Sequence, residues 1–108
     1  MRAGLCAASC LAALAANFAA ANCAAETIRI TVDKLAFVPA QVSAHVGDTI
    51  EWTNNDFVAH TATARSGEWN VMLPPHKVGS VTLKSAGSIE YYCRFHPNMI
   101  GHISVAKE

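Results

Sequence analysis

Tyr91-Tyr92-Cys93-Arg94-Phe95-His96-Pro97-Asn98-Met99-Ile100-Gly101 leaves one strand-like run, residues 89–93, and enters another, residues 101–105. The chain between the two runs has to reverse, so the stretch forms a hairpin-like loop. It carries a thiol, an imidazole three residues on and a thioether three residues after that. Spacings of three let such a loop fold its side chains inward around one centre. Pro97 limits the conformations the loop gives up on ordering.

Outward from the loop the chain keeps reading as short strands. Residues 27–32 alternate, with Ile28, Ile30 and Val32 on one face and Thr27, Arg29 and Thr31 on the other. Residues 37–46 repeat the pattern loosely, and Pro39 argues for an edge or a bulge there. Gly47-Asp48 is a turn signal before residues 49–53, where Ile50 and Trp52 alternate. Asn54-Asn55-Asp56 breaks that strand, and residues 60–64 resume as a short one. No period holds over residues 65–75, which end on Pro74-Pro75 and read as a loop. Residues 78–83 form a further strand, and Ser85-Ala86-Gly87-Ser88 turns the chain into residues 89–93. No window outside the first 25 residues supports a helix of three turns. Short strands separated by turns about every ten residues predict an all-β chain, a Greek-key β-sandwich of about eight strands.

Composition divides the chain in two. Of 108 residues, 52% are apolar and 15% charged, but the first 25 hold 20 apolar residues, 12 of them Ala, and a single charge at Arg2. An Ala- and Leu-rich stretch, residues 4–16, has the length of a secretory h-region, and Cys23-Ala24-Ala25 offers the small residues a signal peptidase accepts. Residues 1–25 therefore read as a signal peptide cleaved after Ala25, with cleavage after Ala21 as the second option. Export to the periplasm and no stable membrane insertion after cleavage are expected: Ala is a weak lipid solute, and Asn17 and Asn22 interrupt the run. Residues 26–108 are then one small domain. Its seven Lys and Arg against eight Asp and Glu recommend neither a nucleic-acid nor a polybasic membrane role. Monomer is the default state. Cys6, Cys10 and Cys23 fall in the leader, so Cys93 is the one thiol left in an oxidising compartment and asks for a chemical role.

The role follows from the neighbours of Cys93. His60 opens a strand after the loop of residues 54–59, at the same end of the sandwich as the 93–99 loop. His60, Cys93, His96 and Met99 together offer two imidazoles, one thiolate and one thioether, the soft set that suits a type 1 copper ion with Met as the weak ligand. Zinc rarely recruits Met, and calcium and magnesium need oxygen ligands. A paired-copper site would need a second Cys in the loop. His45, His76 and His102 fall outside the cluster and read as solvated residues.

These residues also resemble a known family. Phe37-Val38-Pro39-Ala40, Val46-Gly47-Asp48-Thr49, Trp52-Thr53-Asn54-Asn55-Asp56, His60-Thr61 and the loop from Tyr92 to Met99 are similar to small type 1 copper proteins of the cupredoxin family, in the amicyanin and plastocyanin group. The resemblance covers residues 27–107. It implies an eight-stranded Greek-key sandwich holding one copper at one end and an electron carrier rather than an enzyme. It also implies transient redox protein partners docking where the His96 ring edge reaches the surface. Phe95, Pro97, Ile100, Pro74 and Pro75 would form the apolar collar of that edge. Copper delivery is the alternative function, but it usually shows exposed Met or His clusters. An oxidase or reductase would need further coppers or an open ligand position.

The chain departs from the group at two places beside the thiolate. Phe95 stands where such loops usually carry Pro, and Thr61 stands where many members carry Asn. Unlike Pro, Phe95 has an amide that could donate to the Cys93 sulfur, which would stabilise Cu(I) and raise the potential. Thr61 leaves the other supporting bond open.

Overall fold

A computed structural model describes residues 24–107. Residues 1–23, with Cys6, Cys10 and Cys23 and most of the expected signal peptide, lie outside the described residues, as does Glu108. Period-two alternation sets which side chains go inward. In β1 (Thr27–Asp33), Ile30 and Val32 are buried and Ile28 packs against them from a half-buried position. β2 (Ala36–Val38) contributes Phe37, and β3 (Gln41–His45) contributes Ala44. β4 (Thr49–Asn54) buries Ile50, Trp52 and Asn54, while β5 (His60–Ala64) buries every residue but Thr63. β6 (Asn70–Leu73), β7 (Val78–Thr82), β8 (Gly87–Tyr92) and β9 (Ile100–Ala106) complete the set. The described residues contain no helix.

The strands form two sheets, ordered β2-β1-β4-β7 and β3-β9-β8-β5-β6. Most neighbours are antiparallel, but β1 runs parallel to β4 and β3 parallel to β9, which only crossovers between sheets can produce. The β-sandwich expected from the alternation is the observed architecture, with nine strands rather than about eight. One difference lies at residues 37–46. The chain leaves one sheet at Val38-Pro39, a cis bond, and enters the other as β3, so one loosely patterned run is two edge strands. The second lies at residues 70–73, read from sequence as loop. β6 is an edge strand of four residues with Leu73 alone fully buried, too short to display a period.

Between the sheets sits an aromatic cluster. The Phe37 and Tyr91 rings meet edge-on with centroids 4.7 Å apart, and Trp52 lies 5.4 Å from Tyr91 and 5.5 Å from Trp69. Such pairs add about 0.5–1.5 kcal/mol beyond the area they bury. Trp52 Nε1 donates to the Tyr91 hydroxyl at 3.3 Å. Burial pushes the Tyr91 phenol up to about 12, against a small opposing effect of that hydrogen bond, so the hydroxyl stays neutral. Trp69, left between core and docking roles by sequence, packs into this cluster.

Register fixes the two ends of the sandwich. Thr27, Thr49 and Thr82 pair at one end, and Val32 with Asn54 and Tyr92 with Ile100 at the other. The 93–99 loop leaves from the second end. Gly101 is opposite Tyr91 in the β8–β9 ladder, and a Cβ at Gly101 would collide with the Tyr91 ring. We expect Gly101→Ala to destabilise the fold by about 1–3 kcal/mol through overpacking, read as a lowered midpoint in urea at unchanged slope.

Candidate metal centre

His60 begins β5 and Cys93 follows the last residue of β8, strands that pair antiparallel through Thr63 with Tyr92 and Ala64 with Tyr91. That pairing sets residues 33 positions apart beside each other. Both are fully buried, and His96 is half-buried. Cys93 Sγ lies 3.7 Å from His60 Nδ1 and 3.6 Å from His96 Nδ1, and the two imidazole centroids are 5.0 Å apart. The three ligand atoms all fall within 4.8 Å of one another. Met99 is buried at the end of the same loop.

The loop closes by two successive tight turns. The His96 amide donates to the Cys93 carbonyl at 3.2 Å, and the Met99 amide to the His96 carbonyl at 2.8 Å. The Cys93 amide then donates to the Met99 carbonyl at 3.1 Å and shuts the ring. Each i to i+3 bond spans one spacing of three, so the Cys-x-x-His-x-x-Met pattern is the sequence trace of two β-turns in series.

Three buried or partly buried polar side chains hold the loops in place. Asn54 donates from Nδ2 to the carbonyls of Val58 and Leu73, both at 2.9 Å, and to Pro74 at 3.2 Å. Its Oδ1 accepts the Asp56 amide at 2.8 Å. The β4–β5 and β6–β7 loops are thereby tied to one amide group.

Asp56 Oδ2 lies 2.8 Å from His60 Nε2, and the same carboxylate accepts the Lys34 amide at 2.8 Å and the Leu35 amide at 3.0 Å. Lys34 and Leu35 form the two-residue turn between β1 and β2 with φ of 53° and 62°, a left-handed pair with neither Gly nor Asn to favour it. The carboxylate offsets that strain and fixes the His60 ring with Nδ1 toward the sulfur. Burial acts to raise the Asp56 pKa. The Leu35 and Lys34 amides and His60 outweigh it and hold the carboxyl below the usual carboxylate range.

Thr61 is the third. Its amide donates to Cys93 Sγ at 3.4 Å, and its Oγ1 accepts the Arg94 amide at 2.9 Å. Thr61 therefore cross-links the two ligand-bearing segments, which answers what replaces Asn at this position. The expected second bond to the sulfur does not form: among the described residues the Phe95 amide makes no hydrogen bond to Sγ, and the Phe95 ring is 51% exposed. The argument for a raised potential from Phe95 therefore falls away.

His96 itself is half-buried. Pro74, Pro75, Phe95, Pro97 and Ile100, the residues named for a collar, are exposed, and so are Phe57 and Val58. Phe57, 86% exposed, meets the ring of His76 edge-on with centroids 4.9 Å apart. Sequence reading passed over Asn54 and Asp56 as strand-breaking residues and did not single out Phe57. The signal available for Phe57 was an aromatic residue in a short loop between polar and ligand positions. His45 and His102 stay apart from the cluster, facing Asp48 and Glu90.

The buried soft donor set, shut by fixed turns and with one imidazole oriented by a carboxylate, suits copper. Fold and donors together describe a small blue copper protein. A family model for the Cupredoxin-like domain matches residues 5–105, and the chain belongs to that family. It is 32% identical to amicyanin-alpha of Methylorubrum extorquens, over 95% of this chain and 93% of the relative. It is 29% identical to amicyanin of Paracoccus denitrificans, over 82% and 72%. The solved Cu(I) form of an amicyanin mutant superposes with a TM-score of 0.65 at 30% identity, covering 82% of this chain and 90% of that one. The cofactor is one type 1 copper and the role is electron transfer.

Removing the Asp56 carboxylate frees the His60 ring and makes it a poorer donor. We expect Asp56→Ala to weaken Cu(II) retention roughly 10–100-fold in competition with a chelator. In Asp56→Asn the loss of negative charge on the imidazole should raise the reduction potential, read by voltammetry. Thr61→Val removes the acceptor of the Arg94 amide and should lower stability by about 1–3 kcal/mol in denaturant unfolding of the metal-free protein.

Proposed function

We propose that His60, Cys93 and His96, with Met99 as the weak fourth ligand, hold the copper of an exported, monomeric, periplasmic protein. In this reading residues 26–108 are the mature domain, and the protein passes single electrons between transient protein partners that dock at His96. The observation that carries the reading is the set of three ligand atoms within 4.8 Å of one another, two of the residues buried and the third half-buried. When bound, copper supplies the one-electron change between Cu(II) and Cu(I).

The chain supplies everything else. The closed double turn of the 93–99 loop and the hub at Asn54 leave the ligands little room to move, so little reorganisation accompanies the change of charge. Asp56 keeps His60 Nδ1 directed inward, and the Thr61 amide takes part of the charge on the Cys93 sulfur. Apolar burial of Cys93 and Met99 keeps water from the donor atoms. His96 is then the proposed short way out, with the exposed Phe57, Phe95 and prolines as its proposed docking rim. A small apolar rim suits brief docking of low area, and a mature charge near zero adds little steering.

Protein loaded with Cu(II) should show an intense blue thiolate-to-copper band that bleaches with ascorbate and returns on re-oxidation, and Cys93→Ser should abolish it. A colourless protein, or copper lost to a mild Cu(I) chelator on reduction, would move the assignment to copper delivery. Phe57→Ser should lower the second-order rate of electron transfer with a partner by roughly tenfold while leaving the visible band and potential unchanged, as expected for loss of one aromatic anchor.

A further inference from the structure

At the end of the sandwich away from the ligand cluster lies Asp48, 1% exposed. Its Oδ2 accepts the His45 amide at 2.7 Å, and its Oδ1 accepts the Glu26 backbone nitrogen at 3.0 Å. Glu26 is pinned a second time, its carbonyl accepting the Thr49 amide at 2.9 Å. Ala24 and Ala25, just before it, are exposed. Among the described residues, the first backbone nitrogen with a hydrogen bond to the domain is therefore the nitrogen that cleavage after Ala25 would set free.

We propose that leader removal after Ala25 turns the Glu26 amide into an α-ammonium ion-paired with the buried Asp48 carboxylate, so that processing completes the far end of the fold. The inference rests on the export reading. Water, with a signal peptidase as catalyst, adds across the Ala25–Glu26 peptide bond. The C–N bond breaks, Ala25 leaves as a carboxylate, and the Glu26 nitrogen takes up protons to become –NH3+.

The electrostatics favour the product. A carboxylate held away from water is costly unless a positive charge faces it. His45 Nδ1 is one neighbour of the carboxylate, 3.9 Å from Oδ2. In the precursor the Glu26 nitrogen is a neutral donor. After cleavage the same nitrogen, already within hydrogen-bond distance, is a cation, and charge-assisted bonds are roughly twice as strong as neutral ones. Cleavage after Ala21 would instead leave Asn22-Cys23-Ala24-Ala25 ahead of Glu26 and keep its nitrogen an amide.

The intact mass of exported protein gives the first test. A chain beginning at Glu26 is expected. One beginning at Asn22 overturns the proposal but leaves export standing, whereas a retained leader sinks the export reading itself. The second test compares copper-loaded proteins beginning at Glu26 and at Ala24 under acylation by an N-hydroxysuccinimide ester near neutral pH, read by peptide mass. The α-amine of the Glu26 form should react roughly tenfold more slowly in buffer than in denaturant, while that of the Ala24 form is unprotected. Equal protection in both forms overturns the ion pair. Asp48→Asn should abolish protection in the Glu26 form. It should also cost that form roughly tenfold more in the unfolding constant than it costs the Ala24 form; equal losses overturn the coupling. If the variant does not fold, the labelling comparison decides alone.

Discussion

The centre depends on the short antiparallel pairing of β5 with β8. Two residue pairs, Thr63 with Tyr92 and Ala64 with Tyr91, are all the ladder these strands share. Beyond them the pairing continues through side chains: the Thr61 amide donates to the Cys93 sulfur instead of to a carbonyl, and the Arg94 amide donates to the Thr61 hydroxyl. An ordinary ladder here would have used the backbone groups on each other and left the sulfur without a donor. Replacing two ladder bonds by side-chain bonds lets the strands part just enough for a thiolate and two imidazoles to converge.

That parting would be loose without the polar groups beneath it. Asn54 and Asp56 are two residues apart, and between them they bind the β1–β2 turn, the β4–β5 loop and the start of the β6–β7 loop. A buried polar group left unsatisfied costs about 1–3 kcal/mol, so each of these bonds is also a constraint on where the loops can go. The same carboxylate that steadies a left-handed turn at Lys34 and Leu35 orients His60. Strain in the β1–β2 turn and orientation of His60 at the candidate metal centre are thus held by one side chain.

Much of this was legible in the chain. Alternation at Ile28, Ile30 and Val32, at Ile50 and Trp52, and at Ile103 and Val105 is a direct record of burial, because side chains in a strand alternate faces. The candidate donors His60, Cys93 and His96, which the fold brings together, could be picked out because soft donors at such spacings have few other uses. What escaped were features that depend on partners distant in sequence. β6 has one buried apolar residue and exists because β5 pairs with it. The split of residues 37–46 depends on which sheet offers a free edge on either side of Pro39. Asn54 and Asp56 look like residues that end a strand, and they do; their bonds to Leu73 and Leu35 appear only once the loops meet. The Phe95 amide looked available to the sulfur from sequence, yet among the described residues the backbone amide that reaches it is that of Thr61.

The two ends of the sandwich use one device. At each, an Asp carboxylate accepts backbone amides from another segment: Asp56 from the β1–β2 turn, Asp48 from His45 and from Glu26. A domain of this size buries a modest fraction of its surface, and Cys93 is the free thiol among the described residues, so no disulfide fastens them. Carboxylate-to-amide bonds do that fastening, with each oxygen satisfied and each bond joining segments about 20 residues apart or, at His45, setting the turn itself. They differ in what lies beside them. Asp56 faces an imidazole whose free nitrogen must point inward, and so its charge serves the centre. Asp48 faces the nitrogen that opens the mature chain in the export reading, and there the same chemistry serves the fold.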